Sequence, residues 1–218
     1  MQKLLWLAFV GALSLVGACD KAEDSGDEGA KEDEEASLAP PDVSGAVMIR
    51  TNAGVIKLNL FADKAPQTVA NFVKYIEDGF YEKTVFHRVI PGFMIQAGGF
   101  KENLSKATPR TPIKNESSNR LSNKRGTVAM ARTRSPDSAT SQFFINVENN
   151  QRLDYKGHKN PGYTVFAEVV EGMEVVDRIA KSETLCPSAT REPCDEKLPP
   201  GMRDVPKHAV IIETIELD

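Results

Sequence analysis

The chain has 218 residues, 40% of them hydrophobic and 27% charged, with 27 basic against 31 acidic side chains for a net charge of −4. That length fits one ordinary domain with appendages, and the charge balance lacks the strong basic excess on which nucleic-acid binding rests. The cationic residues Lys124, Arg125, Arg132 and Arg134 stand in loops without interleaved aromatic stacking platforms, so no nucleic-acid partner is expected.

Residues 1–18 read as a signal peptide: Lys3 is followed by an apolar run from Leu4 to Val16 and then by small residues. A membrane-spanning helix is the rival, but the run falls short of the roughly 20 apolar residues a bilayer requires. Val16-Gly17-Ala18-Cys19 resembles a bacterial lipobox, which implies a lipoprotein signal peptide, acylation of Cys19 and attachment to a membrane through that lipid. Ordinary cleavage near Ala18, leaving a free thiol, is the competing reading. Residues 19–41 read as an acidic disordered tether. Nine acidic residues between Asp20 and Pro41 face only Lys21 and Lys31, and too little apolar surface is present to fold. Its root-mean-square reach is on the order of 25 Å, further extended by self-repulsion. Two roles fit this composition, a spacer holding a domain off a membrane surface and a solvated linker.

Residues 42–218 are nearly neutral and form one expected domain. Ala46–Arg50 and Val55–Leu60, split by Thr51-Asn52-Ala53-Gly54, predict a hairpin. Val69, Phe72, Val73 and Ile76 recur at helical spacing between Pro66 and Gly79, predicting the first helix. Short β-rich runs follow at Thr84–Ile90, Phe93–Gln96, Thr127–Ala131, Gln142–Val147 and Thr164–Val170, with a polar connection from Phe100 to Arg125. A second helix is expected over Gly172–Lys181, on Met173, Val176, Ile179 and Ala180, and a last strand over Ala209–Leu217. The chain is therefore mainly β with two helices, a pattern compatible with a barrel or a sandwich.

The segment from Phe86 to Gly99 concentrates chemistry: Arg88, the Pro91-Gly92 bend, Phe93, Met94 and Gln96. Alternation puts Met94 and Gln96 on one face of a strand and Phe93 on the other, unless the bend re-aims them. Two readings fit these residues taken alone, a ligand wall and a buried strand with a capping arginine. His87 is assigned a structural role. No nucleophile elbow or phosphate-cradling glycine loop is present, since Gly98-Gly99 lacks the strand-to-helix setting.

With Gly126–Arg132, Ser141–Val147, Arg152-Leu153-Asp154 and Gly162–Met173, the same segment resembles the cyclophilin family of peptidyl-prolyl isomerases, closest to its bacterial periplasmic branch. That resemblance covers nearly everything from Gly45 onward. It implies a closed eight-stranded antiparallel barrel capped by two α-helices, with substrate on an outer groove. It implies Arg88, Gln96 and Gln142 as the catalytic group, and Phe93, Met94, Ala131, Arg132, Phe144, Leu153 and Tyr163 as the substrate-binding residues. Proline-containing polypeptides are the implied partners, and no cofactor or metal is implied. Arg152 departs from the family's usual tryptophan or phenylalanine, which predicts weak cyclosporin binding.

With Cys19 assigned to lipid, Cys186 and Cys194 form an even pair in an oxidising compartment and predict a disulfide. Metal binding is the rival, with no histidine between the two thiols. The expected function is prolyl isomerisation assisting the folding of exported proteins, by a monomer anchored in the bacterial cell envelope and facing the periplasm or the cell exterior. The alternative is a lipid-anchored binding module or chaperone that recognises proline-containing segments. The stretch from Glu183 to Pro206 receives no role from the sequence.

Overall fold

Every second side chain of the first two strands is apolar and buried: Val47 and Ile49 on one, Ile56, Leu58 and Leu60 on the other. This period of two gives the hairpin its inward face, with Ile49 paired to Ile56 and Val47 to Leu58. The computed structural model describes residues 46–189, 194 and 198–217, all within one compact unit, Leu38–Asp218. The expectations for the leader, for Cys19 and for the acidic tether lie outside the described residues.

In chain order the elements are β1 (Ala46–Thr51), β2 (Gly54–Leu60), α1 (Pro66–Glu77), β3 (Thr84–Val85), β4 (Arg88–Ile90), β5 (Met94–Ala97), β6 (Thr127–Met130), β7 (Phe143–Asn146), β8 (Val165–Glu171), α2 (Met173–Ala180), β9 (Thr184–Leu185), β10 (Val205–Pro206) and β11 (Ile211–Leu217). Nine strands form one curled antiparallel sheet in the order β3-β11-β1-β2-β8-β6-β7-β5-β4, a half-barrel, and β9 and β10 form a separate ribbon.

This corrects the expected closed eight-stranded barrel to an open nine-stranded sheet. The single strand expected over Thr84–Ile90 is two strands, because the chain changes partner at Phe86-His87. Thr84 and Val85 pair with β11, Arg88 to Ile90 pair with β5, and the Phe86 amide donates to the Val210 carbonyl at 2.9 Å. The two end strands of the ladder are thus successive pieces of chain, with no ladder between them among the described residues.

Helix α1 buries Val69, Phe72, Val73 and Tyr75, and α2 buries Val175, Val176, Ile179 and Ala180, all in the same inner core as the strands. Phe72 meets Tyr81, Phe143 and Phe166 at ring separations of 5.3, 5.5 and 5.0 Å, so its truncation would cost about 3 to 5 kcal/mol. No residue beside the N-terminus of α1 caps it with a side chain. Instead the Glu116 carboxylate accepts hydrogen bonds from the Gln67 amide at 3.1 Å and from the Thr68 amide and hydroxyl at 2.8 and 2.6 Å. An anion there satisfies orphan amides and meets the positive end of the helix dipole, and it pins the polar connection between β5 and β6 against the helix.

Candidate active site

Alternation along the strands separates two apolar clusters. Val89, Ile95, Ala97, Val128, Met130, Phe143 and Ile145 point into the inner core. Their neighbours Met94, Ala129, Phe144 and Val165 form a second cluster, against which Phe93, Ala131, Leu153 and Tyr163 pack half-buried. Register then sets the geometry. Arg88 stands opposite Gln96, Gln96 opposite Phe144, Phe144 opposite Ala129, and Ala129 opposite Val165. One cross-strand row therefore runs from a guanidinium through an amide to an aromatic floor, with neighbouring strands roughly 4.8 Å apart.

Phe93 reaches the same cluster as Met94 because it precedes β5 and belongs to the bend. The Phe93 amide donates to the Ile90 carbonyl at 3.1 Å, and Gly92 takes φ +68°, a conformation that favours glycine. The Phe93 carbonyl accepts from the Val147 amide at 3.0 Å and from Asn150 Nδ2 at 2.8 Å, which fixes the ring's base. Tyr163 meets Phe144 edge-on at 5.7 Å, and its amide donates to the Leu153 carbonyl at 3.0 Å. Floor and walls of this apolar socket are thus held by strand pairing and backbone bonds.

Gln96 Nε2 donates to Gln142 Oε1 at 2.8 Å, so the two predicted amides act as one unit. The Gln142 side chain lies on the backbone of Gly99, where an added Cβ would come within 2.6 Å of it. Gly99 is thereby explained as room for this amide, while Gly98 takes φ +81° and packs against the Ser141 carbonyl and the Tyr81 ring. The Ala131 amide donates to the Gln142 carbonyl at 2.9 Å, and the Arg132 side chain turns away from its own strand, donating from Nε to the Gly162 carbonyl at 2.8 Å and stacking 4.5 Å over Tyr163. Arg152, exposed, lays its guanidinium 4.3 Å over the Phe93 ring.

His87 is buried between the strand ends with its ring 4.6 Å from Phe100, and its Nδ1 has no hydrogen-bond partner. Burial lowers its pKa to about 4, against the opposing pull of the Val85 backbone and the Gln142 side chain, with the charge of Arg88 adding to the decrease. It is neutral at physiological pH, in keeping with the structural role read from the sequence.

Residues 46–215 match the family model described as cyclophilin type peptidyl-prolyl cis-trans isomerase. This chain belongs to the cyclophilin family. Peptidyl-prolyl cis-trans isomerase B of Escherichia coli K12 is 51% identical over 172 residues, spanning 78% of this chain and 97% of that relative. An isomerase of Streptomyces antibioticus is 44% identical over 174 residues, with 78% and 97% covered. A cyclophilin type isomerase of Cryptosporidium parvum, solved in the presence of the dipeptide Ala-Pro, superposes with a TM-score of 0.60 at 25% identity, covering 79% of this chain and 98% of that one.

In this cyclophilin the structure gathers the predicted residues: Phe93, Met94, Ala131, Phe144, Leu153 and Tyr163 in one cluster, Arg88, Gln96 and Gln142 at its edge, and Arg132 over the Tyr163 ring, while Arg152, the departure from the family pattern, lies over Phe93. Sequence reasoning missed Ala129 and Val165 in the floor, and also the buried amides behind it. Asn146 Nδ2 donates to Thr127 Oγ1 at 3.0 Å, Asn150 Nδ2 to Asn146 Oδ1 at 2.8 Å, and the Asp154 carboxylate accepts from Ser122 Oγ and the Asn123 amide at 2.7 Å each. Ala129 was legible from the period of two in its strand; Val165 was not, because a register shift puts both Phe166 and Ala167 in the inner core, and no local pattern announces the amides. The predicted disulfide joins Cys186 to Cys194, with Cα atoms 4.7 Å apart.

Proposed function

We propose that this cyclophilin isomerises X-Pro bonds in polypeptides exported to the bacterial cell envelope, by a non-covalent mechanism in which Arg88 stabilises the twisted imide. Rotation is opposed by amide resonance worth about 18 to 20 kcal/mol, while the two isomers differ by about 0.5 to 1 kcal/mol. Catalysis therefore consists of binding the twisted form better than either planar one. The proline ring enters the socket over Met94 and Phe144, between Phe93 and Tyr163. As the bond twists, the proline nitrogen turns pyramidal and regains a lone pair. Arg88 donates from its planar fork toward that lone pair and the preceding carbonyl, and the Gln96–Gln142 pair orients the peptide backbone.

The observation that carries this reading is the row Arg88–Gln96–Phe144, which sets a guanidinium donor beside an apolar socket on paired strands. The Cys186–Cys194 pair supports an oxidising compartment. In this reading Cys19 carries a lipid, residues 20–41 tether the domain to an envelope membrane, and the protein acts as a monomer. The test is the cis-to-trans rate of an Ala-Pro peptide with the full chain and with Arg88→Ala. Acceleration that the variant loses by 100-fold or more supports the mechanism, and equal rates refute it. Incorporation of labelled lipid that Cys19→Ser abolishes would establish the anchor.

A further inference from the structure

Arg88 lies on β4, the last strand of the sheet, so one side of the strand pairs with β5 and the other has no strand beside it in the ladder. A four-bond side chain at such an edge, half exposed, has many rotamers open to it. What lies against this edge, among the described residues, is the β9–β10 ribbon. In it Val205 stands opposite Leu185, and the Cys186–Cys194 bond closes a ring at its base. Asp204 sits just ahead of β10, and its carbonyl accepts the Val89 amide at 2.8 Å, docking the ribbon on β4 one residue from Arg88.

The Asp204 carboxylate is held from behind. Ser188 donates to it from both its amide and its hydroxyl, and the Asp204 amide donates to the Cys186 carbonyl at 3.2 Å. The residue takes φ +59°, a conformation that aspartate tolerates better than most residues, and only 5% of its side chain is exposed. From this fixed seat Oδ2 stands 3.8 Å from Arg88 Nε. An acidic group buried to this degree, aimed at a half-exposed arginine in the proposed site, exceeds what a loop needs to hold its own shape.

We infer that Asp204 is a positioning residue for Arg88, presented to it by the β9–β10 ribbon. The contact reaches the guanidinium through Nε, which leaves both Nη groups for the substrate. At 3.8 Å the carboxylate orients the planar fork by charge without taking up its donors. The inference rests on the proposed role of Arg88.

The experiment measures kcat and KM of the full chain on an Ala-Pro peptide for wild type, Asp204→Asn, Arg88→Ala and the double variant. Asparagine keeps an acceptor for Ser188 and removes the charge. Asp204→Asn is expected to lower kcat about tenfold with KM within twofold, and to have no further effect on the residual rate in the Arg88→Ala background. Wild-type kcat in Asp204→Asn, or an equal fall in both backgrounds, overturns the inference. Wild-type turnover in Arg88→Ala would instead remove the reading of Arg88 itself, and the inference with it, so the two failures are distinguishable. Should Asp204→Asn not fold, the Arg88 Nε–Hε resonance of the wild type decides. A high fast-motion order parameter at that N–H vector supports a held side chain, and one as low as that of a free arginine overturns it.

Discussion

Replacing Gly99 by alanine tests whether the amide pair sets the rate. Gly99 does not occupy the left-handed region, so alanine adopts its backbone without strain, and the perturbation is steric alone. The new methyl would lie 2.5 Å from Gln142 Cδ and 2.6 Å from both Cγ and Nε2. Carbon contacts relax at about 3.5 to 4.0 Å, so the amide must retreat by about 1 Å. The atoms the methyl meets belong to a flexible side chain, which gives way at less cost than a packed core, and a stability loss of about 1 to 2 kcal/mol is expected. The retreat breaks the 2.8 Å bond to Gln96, itself worth about 1 kcal/mol, and disturbs the group proposed to orient substrate. Misplacement of about 1 Å can cost up to about 100-fold in rate, so kcat/KM should fall by about 10- to 100-fold. Peptide isomerisation kinetics read this directly, with urea unfolding as the stability control. Turnover within twofold of wild type would refute the reasoning, as would an equal loss when Gly99→Ala is added to Gln142→Ala, where no amide remains to be displaced.

His87 makes stability pH-dependent. Its folded pKa of about 4 lies below the ordinary 6.5, so the unfolded chain takes up its proton first as pH falls. Above pH 6.5 the group has no effect on the pH profile; between 6.5 and 4 it removes stability progressively, by about 3 kcal/mol in all, and below 4 the loss is complete. Urea midpoints at pH 7 and pH 4.5 should therefore differ more for the wild type than for His87→Gln, and equal differences would contradict the assignment. Replacing both Cys186 and Cys194 by serine should cost about 2 to 3 kcal/mol in global unfolding, on the chain-entropy model for so short a ring; an unchanged midpoint would show that the ring opens before the domain does. Cyclosporin should bind weakly, because Arg152 lies over Phe93 where the family usually has an aromatic. A fluorescence titration in which Arg152→Trp tightens binding at least tenfold would bear this out, and tight binding by the wild type would contradict it.

The elements with a strong period were legible in the sequence: the β1–β2 hairpin, α1 on Val69, Phe72 and Val73, and α2 on Val176, Ile179 and Ala180. The break at Phe86-His87 was not, since Val85, Phe86, Val89 and Ile90 continue an apolar run across it. What divides β3 from β4 is a change of hydrogen-bonding partner, from β11 to β5, and that choice is made by strands far away in the chain. The site divides in the same way. Arg88, Gln96, Phe144 and their neighbours stand in recognisable segments, and strand alternation correctly put Met94 with Gln96, while the bend at Gly92 brought Phe93 to the same side. The supports were hidden because each joins distant positions: Glu116 to the start of α1, Asn150 to the Phe93 carbonyl, and Asp204 to Arg88. A polar residue in a loop carries no period that reveals its partner.

Those hidden supports matter because the proposed reaction forms and breaks no covalent bond. A 10,000-fold acceleration requires about 5.5 kcal/mol of preference for the twisted imide over the planar one. One hydrogen bond from a charged donor contributes about 1.5 to 3 kcal/mol, so Arg88 leaves about 2.5 to 4 kcal/mol to be supplied by fit and orientation. Fit comes from a floor that strand pairing holds rigid, with Met94 only 2% and Phe144 only 4% exposed. Orientation has no such source, because Arg88 and Gln142 reach the groove on flexible side chains. Each is instead held by a residue outside the apolar cluster, Gln142 by the backbone of Gly99 and Arg88 by the carboxylate of Asp204. The residues that hold these two side chains in place are therefore where a substitution outside the groove should act on turnover more than on stability.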